Sequence, residues 1–261
     1  MLELIRHNLS GFNSHGLNDL NKANLMSRVD TKYVFNIHHL PNILDAVNHE
    51  YSVLEIDNRR ISRYSSLYYD TNDLLFYSMH QQGRANRHKV RVRHYVDSQE
   101  KFVEVKFKNN KKRTIKKRTQ IDLNENIYSQ RSQEFMADLN VPHYDNLVPS
   151  QESSYYRIAL ASEKRGERVT IDIDLNSRCT FAGKERHHRL PDVVIVEVKQ
   201  NRISRWTPIS KAIRAEGIRK LRYSKYCMGM VLTTAEHELV KINRFKKIFR
   251  KISKISDYTT D

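Results

Sequence analysis

Four segments of this chain carry charged residues at every second position, and that alternation limits the possible folds more than any other feature. They are KVRVRHY (89–95), KFVEVKFK (101–108), RVTIDIDL (168–175) and VVIVEVKQ (193–200). A β-strand turns successive side chains to opposite faces. Lys89, Arg91 and Arg93 therefore share one face, with Val90 and Val92 on the other. Glu104, Lys106 and Lys108 share a face, as do Arg168, Asp172 and Asp174, and Glu197 with Lys199. An ordinary half-buried strand also alternates, but it rarely repeats Arg or Lys with Glu or Asp in strand after strand. The pattern suits a sheet curled around a charged interior, with helices over its apolar face and a highly anionic ligand inside.

The net charge of +16 agrees with an anionic ligand. It implies nucleic acid, an anionic membrane or a phosphate-rich small molecule, without choosing among them. The 261 residues suffice for one large domain or two small ones. With 14 Tyr and 9 Phe, global disorder is excluded. Cys179 and Cys227 show no metal-type spacing and no disulfide framework, which fits a reducing cytoplasm. The first residues show no basic segment leading into an apolar run, and no stretch approaches the ~18–20 apolar residues of a membrane span. A cytoplasmic location is expected, with association to a membrane surface left open.

Strands are expected at 28–35, 51–57, 61–71, 89–96, 101–108, 113–123, 154–162, 168–176, 178–183 and 193–200. Helices are expected at 38–50, 72–82, 129–139, 205–217 and 236–256, and residues 1–27 read as irregular or weakly helical. A polar loop is expected through His187, His188 and Pro191. The hairpin-like spacing points to antiparallel pairing. A closed barrel of about eight such strands leaves room for side chains and one small ligand. The expected fold is thus α+β, an antiparallel eight-stranded β-barrel tunnel flanked by helices. The one composition shift lies near 236, giving a tunnel domain (1–235) and a basic amphipathic C-terminal helix and tail (236–261). Leu239, Ile242, Phe245, Phe249, Ile252 and Ile255 form the helix's apolar stripe, surrounded by Lys241, Arg244, Lys246, Lys247, Arg250, Lys251 and Lys254. That composition suits docking on the barrel or a partner, or lying on anionic lipid.

An ordered set of short motifs runs from about residue 28 to 230: D-T-K-Y-V-F ending at Phe35, L-Y-Y-D-T (67–71), V-R-V-R (90–93), F-V-E-V-K (102–106), T-I-K-K-R (114–118), Y-Y-R-I-A (155–159), R-V-T-I-D (168–172), I-V-E-V-K (195–199) and R-Y-S-K-Y (222–226). Each is weak alone; together, in this order, the chain resembles the VTC domain. That is the polyphosphate polymerase domain of the vacuolar transporter chaperone complex and its bacterial relatives, within the triphosphate tunnel (CYTH-like) enzymes. The resemblance implies an eight-stranded tunnel lined by Lys and Arg. It implies transfer of the γ-phosphate of ATP to a growing inorganic polyphosphate chain, with Mn²⁺ or Mg²⁺. It implies catalytic roles for Lys225, Arg91, Arg93 and Arg157. It implies phosphate or ATP binding by Lys32, Lys106, Lys116, Arg118, Tyr155, Arg168, Lys199, Arg222 and Ser224, and metal binding by Glu197. A membrane protein partner for polyphosphate export is a further expectation.

The chain departs from this pattern at its first strand. Tunnel triphosphatases carry E-x-E-x-K there, and this chain reads Arg28, Asp30, Lys32. One carboxylate is replaced by a cation, which weakens a hydrolase reading more than a polymerase one. No G-x-x-x-x-G-K-[ST] loop is present, so the commonest ATP site is excluded. Ordinary structural roles compete at each position. An isolated E-x-K is usually a cross-strand ion pair, but it recurs at Glu104/Lys106 and Glu197/Lys199. Asp172 and Asp174 are candidates for pairing with tunnel cations. Lys111, Lys112 and Arg113 read as a solvated hairpin tip that also suits guiding a polyanion outward. The alternatives to a polymerase are a tunnel triphosphatase and a non-catalytic polyphosphate-binding module. Nucleic-acid binding ranks last, because the alternation points the cations inward.

Overall fold

Each alternating segment forms a strand, and the strands join one antiparallel path. The computed structural model describes residues 1–17, 19, 29–111, 113–179, 181, 185–201 and 204–256. Arg28, Lys112 and positions 180 and 182–183 of the expected strand 178–183 lie outside the described residues. In chain order the elements are α1 (Leu2–Ser10), β1 (Asn13–His15), β2 (Val29–Asn36), α2 (Leu40–Asp45), β3 (Ser52–Leu54), β4 (Ser62–Asp70), α3 (Leu75–Gln82), β5 (Arg87–Tyr95), β6 (Glu100–Lys108) and β7 (Thr114–Ile121). There follow α4 (Gln130–Asp138), β8 (Val148–Ser162), β9 (Glu167–Cys179), β10 (Arg186–Leu190), β11 (Val193–Gln200), α5 (Pro208–Ala215), α6 (Lys225–Thr234) and α7 (Lys246–Ser256).

Eight strands run in the order β2-β11-β9-β8-β4-β5-β6-β7, every neighbouring pair antiparallel. This is the antiparallel α+β tunnel expected from the sequence. No ladder joins β2 to β7 among the described residues. The sheet curls so far that Asp30 and Lys32 of β2 line one cavity with Lys116 of β7.

Two apolar clusters cover the convex face. Ile5 and Leu9 of α1, Leu40, Ile43 and Leu44 of α2, and Ile209 and Ile213 of α5 pack on Ile158, Ile171, Val194, Val196 and Val198. Phe76 of α3 and Met136 of α4 pack on Val90, Val92, Val103 and Val105. These valines are the alternate residues of the charged strands, so one strand pattern supplies both the core and the interior. The third cluster lies on the concave side. There Tyr226, Met228, Met230 and Val231 of α6 meet Tyr68, Tyr155, Val34 and Ile195. Burying such side chains stabilises by roughly 1.5–3 kcal/mol each. Gly229 permits the close approach, since a Cβ there would lie 2.5 Å from the buried Gln151 side chain. α6 thus fills one end of the curl and points its first residues, Ser224 and Lys225, into the open remainder.

Four local expectations are corrected. The helix expected over 38–50 is α helical only over Leu40–Asp45, after a 3-10 turn at Ile37–His39. The helix expected at 236–256 begins at Lys246. A 3-10 turn at Asn243–Phe245 precedes it, and Phe245 and Ile252 reach the α6 cluster. α7 therefore docks its apolar stripe on the sheet, and Asn36 donates to the Ile255 carbonyl at 3.1 Å. The loop through His187 and His188 is strand β10, held by β9 along its full length. Asp174 has φ +49, which breaks the alternation, and its carboxylate accepts from exposed Arg189 at 2.8 Å instead of joining Asp172. No described helix is long and apolar enough to cross a membrane.

Candidate functional site

The inward faces of β5, β6, β11 and β2 come together over a cavity of about 220 Å³. Its described lining holds nine cations: Lys32, Lys89, Arg91, Arg93, Lys106, Lys116, Arg157, Lys199 and Lys225. Against them stand three lining carboxylates, Asp30, Glu104 and Glu197. Cross-strand register explains the grouping. Arg91 faces Glu104 and Lys89 faces Lys106 across β5–β6. Lys32 faces Glu197 and Asp30 faces Lys199 across β2–β11.

Three carboxylates organise these cations. Glu104 is 2% exposed and accepts from Arg91 at 2.5 and 2.8 Å and from Lys116 at 2.5 Å. Asp172 accepts from Arg157 at 2.6 and 2.9 Å and also from Lys225. Glu197 pairs with Lys32, with Lys199 3.7 Å away. Burial alone raises a carboxyl pKa, but the facing cations win at all three. Arg91, Arg93 and Lys116 hold Glu104 well below the usual carboxylate range. Arg157 and Lys225 do so at Asp172, and Lys199 and Lys32 at Glu197. Asp30 goes the other way, raised by burial and by the neighbouring Glu197 charge.

The cations are shifted by the same two effects. Burial lowers Lys89 and Lys106, with like charges adding to it, and lowers Lys199 against the opposing pull of Glu197. Arg91 and Arg157 are raised despite burial, by Tyr68 and Glu104 in one case and Asp172 in the other. Lys116 is pushed down to about 8 by burial, with Glu104 opposing. Below that pH Lys116 is charged and attracts phosphate; above it the charge is lost. Tripolyphosphate affinity should therefore fall as pH rises through about 8, as read by calorimetry from pH 7 to 9. Lys116→Arg keeps its charge over this range and should flatten that part of the profile; an unchanged slope would remove Lys116 as its source.

Tyr155 lies inside the cationic group. Its hydroxyl accepts from Arg93 at 3.1 Å, Lys225 Nζ sits 4.3 Å from its ring centroid, and Tyr64 stacks on it at 5.6 Å. Burial raises its pKa, and Arg157, Arg93 and Lys225 bring it below the usual value. Ser224 caps α6 by accepting from the Cys227 amide, and it also accepts from Lys89 at 2.7 Å. The α6 start is thereby tied to the β5 wall.

The structure gathers Lys32, Arg91, Arg93, Lys106, Lys116, Tyr155, Arg157, Glu197, Lys199, Ser224 and Lys225 around this one cavity. It places three expected residues elsewhere. Arg118 shares the register of Glu104, but it is exposed and lies over the Phe102 ring at 4.5 Å. Arg168 pairs in register with Lys199 at the end of β9 and does not line the cavity. Arg222 lines a neighbouring cavity instead. Lys89, Asp30, Tyr68 and Tyr223 also line the cavity; the sequence reading placed Lys89 on the charged inner face but gave none of the four a site role. Lys89 was legible, being in phase with Arg91 and Arg93. Tyr223 and Tyr68 carry no charge pattern that separates them from core aromatics.

No group of three or more His, Cys, Asp or Glu side chains suited to a metal occurs among the described residues. Mg²⁺-type sites need less, commonly one or two carboxylates completed by substrate phosphates and water. Glu197 and Asp30 lie two register positions apart on one face of paired strands and feel each other's charge, so this hard oxygen pair fits that mode.

Comparison with known proteins places the chain in a family. The VTC domain model matches residues 27–234, well over half of the sequence. Among solved structures, a proposed adenylate cyclase from Bacillus halodurans is similar at 12% identity and TM-score 0.49, over 76% of this chain and 94% of that one. A proposed adenylyl cyclase from Hippeastrum, described as having a dominant triphosphatase activity, is similar at 12% identity and TM-score 0.48, over 78% and 95%. No curated protein matches. On the family match, the chain belongs to the VTC domain family.

Proposed function

We propose that the chain is an ATP-dependent polyphosphate polymerase, moving the γ-phosphoryl group of ATP to the end of a polyphosphate chain inside the basic cavity. The observation that carries this reading is the lining itself: nine cations against three carboxylates around one cavity. A terminal oxygen of the acceptor attacks the γ-phosphorus, the bond to the β-phosphate oxygen breaks, and ADP leaves. That attacking oxygen is already ionised, so no nucleophilic side chain or strong base is required. Catalysis then rests on positioning and charge stabilisation.

Arg91, Arg93, Arg157 and Lys225 surround the region where charge shifts during transfer. Lys32, Lys106, Lys116, Lys199, Tyr155 and Ser224 hold the flanking phosphates. Arginine forks suit this because each donates two parallel hydrogen bonds to phosphate oxygens. A divalent ion such as Mn²⁺ or Mg²⁺, when bound on Glu197 and Asp30, supplies charge neutralisation for phosphate oxygens.

A second reading, a tunnel triphosphatase, is favoured by one observation: Asp30 sits beside Glu197, so two carboxylates remain at that wall despite Arg28. Purified protein incubated with ATP and Mn²⁺ separates the readings. The expected products are long-chain polyphosphate and ADP. Orthophosphate without polyphosphate would establish the hydrolase instead, and tight polyphosphate binding without turnover a binding module.

A further inference from the structure

A cavity of about 520 Å³ lies outside the curl, beside α1, and shares no residue with the basic interior. Leu2, Arg6 and Leu9 of α1 form one wall. Their spacing of four and three residues puts them on one helix face. Asn58, Arg59, Arg60 and Ile61 form a second wall, and Arg63, Asp97 and Tyr156 complete the lining. Ile61 and Tyr156 pack on the same apolar cluster as Ile5 and Leu9, which fixes the cavity to the convex face.

Local structure presents the arginines. Asp57 and Asn58 both have positive φ, 48 and 60, and Ile56 and Arg59 exchange backbone hydrogen bonds at 3.0 and 2.9 Å. This two-residue turn is the kind that Asn and Asp favour, and Arg59 and Arg60 stand at its exit. Arg60 is neutralised. It donates to Glu55 at 2.5 Å and to the Leu9 and Phe12 carbonyls at 2.5 and 3.1 Å, beyond the last turn of α1. Arg59 and Arg63 share the Asp97 carboxylate, at 2.9 and 3.1 Å. Each gives it one of the five N–H groups that a guanidinium carries, and the rest of the fork stays available. Arg6 is exposed and has no carboxylate partner among the described residues.

Three arginines, Arg6, Arg59 and Arg63, therefore face the single carboxylate of Asp97, an excess of two positive charges. A phosphate monoester carries roughly −1.5 to −2 at neutral pH and matches that excess; a carboxylate ligand would leave half of it uncompensated. The guanidinium fork also fits phosphate oxygens two at a time. Beside the arginines lies an apolar floor of Leu2, Leu9, Ile61 and Tyr156. A sugar phosphate would leave that floor bare. A nucleobase would cover it, and its ring stacks on tyrosine and on guanidinium planes alike. The volume lies in the ordinary range of small-ligand pockets.

We propose that this outer cavity binds a nucleoside monophosphate, its phosphate between Arg6, Arg59 and Arg63 and its base against Leu2, Ile61 and Tyr156. The site is additional to the basic interior and does not depend on the reaction carried out there. Its position still connects it to the interior. Arg63 pairs in register with Tyr156 across β4–β8, and the flanking rungs are Tyr64 with Tyr155 and Ser62 with Arg157. A ligand that clamps Arg63 to α1 thus braces, from behind, the strands that hold Tyr155 and Arg157.

The test uses the intact protein with its interior filled by saturating tripolyphosphate. AMP, GMP, CMP and UMP are then titrated separately by calorimetry. At least one should bind one-to-one with a Kd below about 0.1 mM. Arg6→Glu should weaken that binding about tenfold or more, the worth of a lost charge-assisted contact plus repulsion, and Arg6→Lys should restore part of it. Arg63→Glu is the second variant and should show the same loss. Tripolyphosphate affinity should stay within about twofold in all three. The matching nucleoside and orthophosphate each lack half of the ligand and should bind at least about tenfold more weakly than the nucleotide. The absence of any nucleotide binding below about 0.1 mM, or binding unchanged in folded Arg6→Glu and Arg63→Glu proteins, would overturn the site. Orthophosphate binding as tightly as the nucleotide would overturn its assignment to a nucleoside. None of these outcomes turns on whether the interior polymerises or hydrolyses phosphate.

Discussion

Lys225→Ala should lower the rate of polyphosphate synthesis by about 10²–10³, the usual cost of removing one preorganised charge donor from a transition state. The physical reason lies in how Lys225 is held. It begins α6, whose end is capped by Ser224, and its ammonium is fixed by Asp172 and the Tyr155 ring. Little reorganisation is then needed when charge builds on the transferred phosphoryl group. Stability should change far less, because Asp172 keeps both of its bonds from Arg157. Single-turnover rates at saturating ATP, beside a thermal melt, give the comparison. Unchanged synthesis in a folded Lys225→Ala protein would take this residue out of the transfer step. A large rise in KM at constant kcat would make it a substrate-binding lysine alone.

Asp172→Asn should be the most destabilising conservative change in the interior. Asp172 is 3% exposed and neutralises two buried cations at once, Arg157 in a two-point contact and Lys225. Removing one partner of a buried ion pair costs about 3–5 kcal/mol, because the remaining charge stays buried without its counter-ion. For a chain of this size about 1 kcal/mol shifts the melting temperature by roughly 2–4 °C, so a fall near 10 °C is expected. The two freed cations face the cavity that Lys32, Arg91 and Lys106 also line. Tripolyphosphate should therefore raise the variant's melting temperature by more than it raises the wild type's. A variant melting within about 2 °C of wild type would show that Asp172 does not carry this compensation.

Much of the site was legible from local pattern. Arg91 and Arg93 project to one side of β5 for the same reason that Val90 and Val92 project to the other, and no distant residue is needed to see it. The expected pairing of Asp172 with tunnel cations is realised through Arg157 and Lys225. Its neighbour Asp174 shows the limit of the method. A single backbone at φ +49 turns it outward to Arg189, and nothing in the alternating run RVTIDIDL announces that break. Arg118 fails differently. Its face is as expected and is shared with Lys116, which does line the cavity, but the Arg118 side chain lies exposed over the Phe102 ring instead.

The buried Asp70 is a similar case. The L-Y-Y-D-T motif marks it, but not its role. It accepts from the Phe76 and Tyr77 amides at 2.8 Å each and from the Tyr226 hydroxyl, joining β4, the start of α3 and α6 at one carboxylate. Those partners are up to 156 residues away in sequence.

The sequence by itself determined the strand faces, the antiparallel character and the cationic interior. These follow from a two-residue period and a net charge of +16, both of which survive any arrangement of the strands. Only the tertiary structure decided that α6 lies within the curl and aims Lys225 at Asp172, and that Arg222 belongs to a second cavity together with Arg244. Those outcomes depend on which apolar faces find one another across long separations, such as Gly229 against Gln151 and Phe245 against the α6 cluster. Packing of that kind is set by shape and volume over the whole molecule, which a local periodicity does not encode.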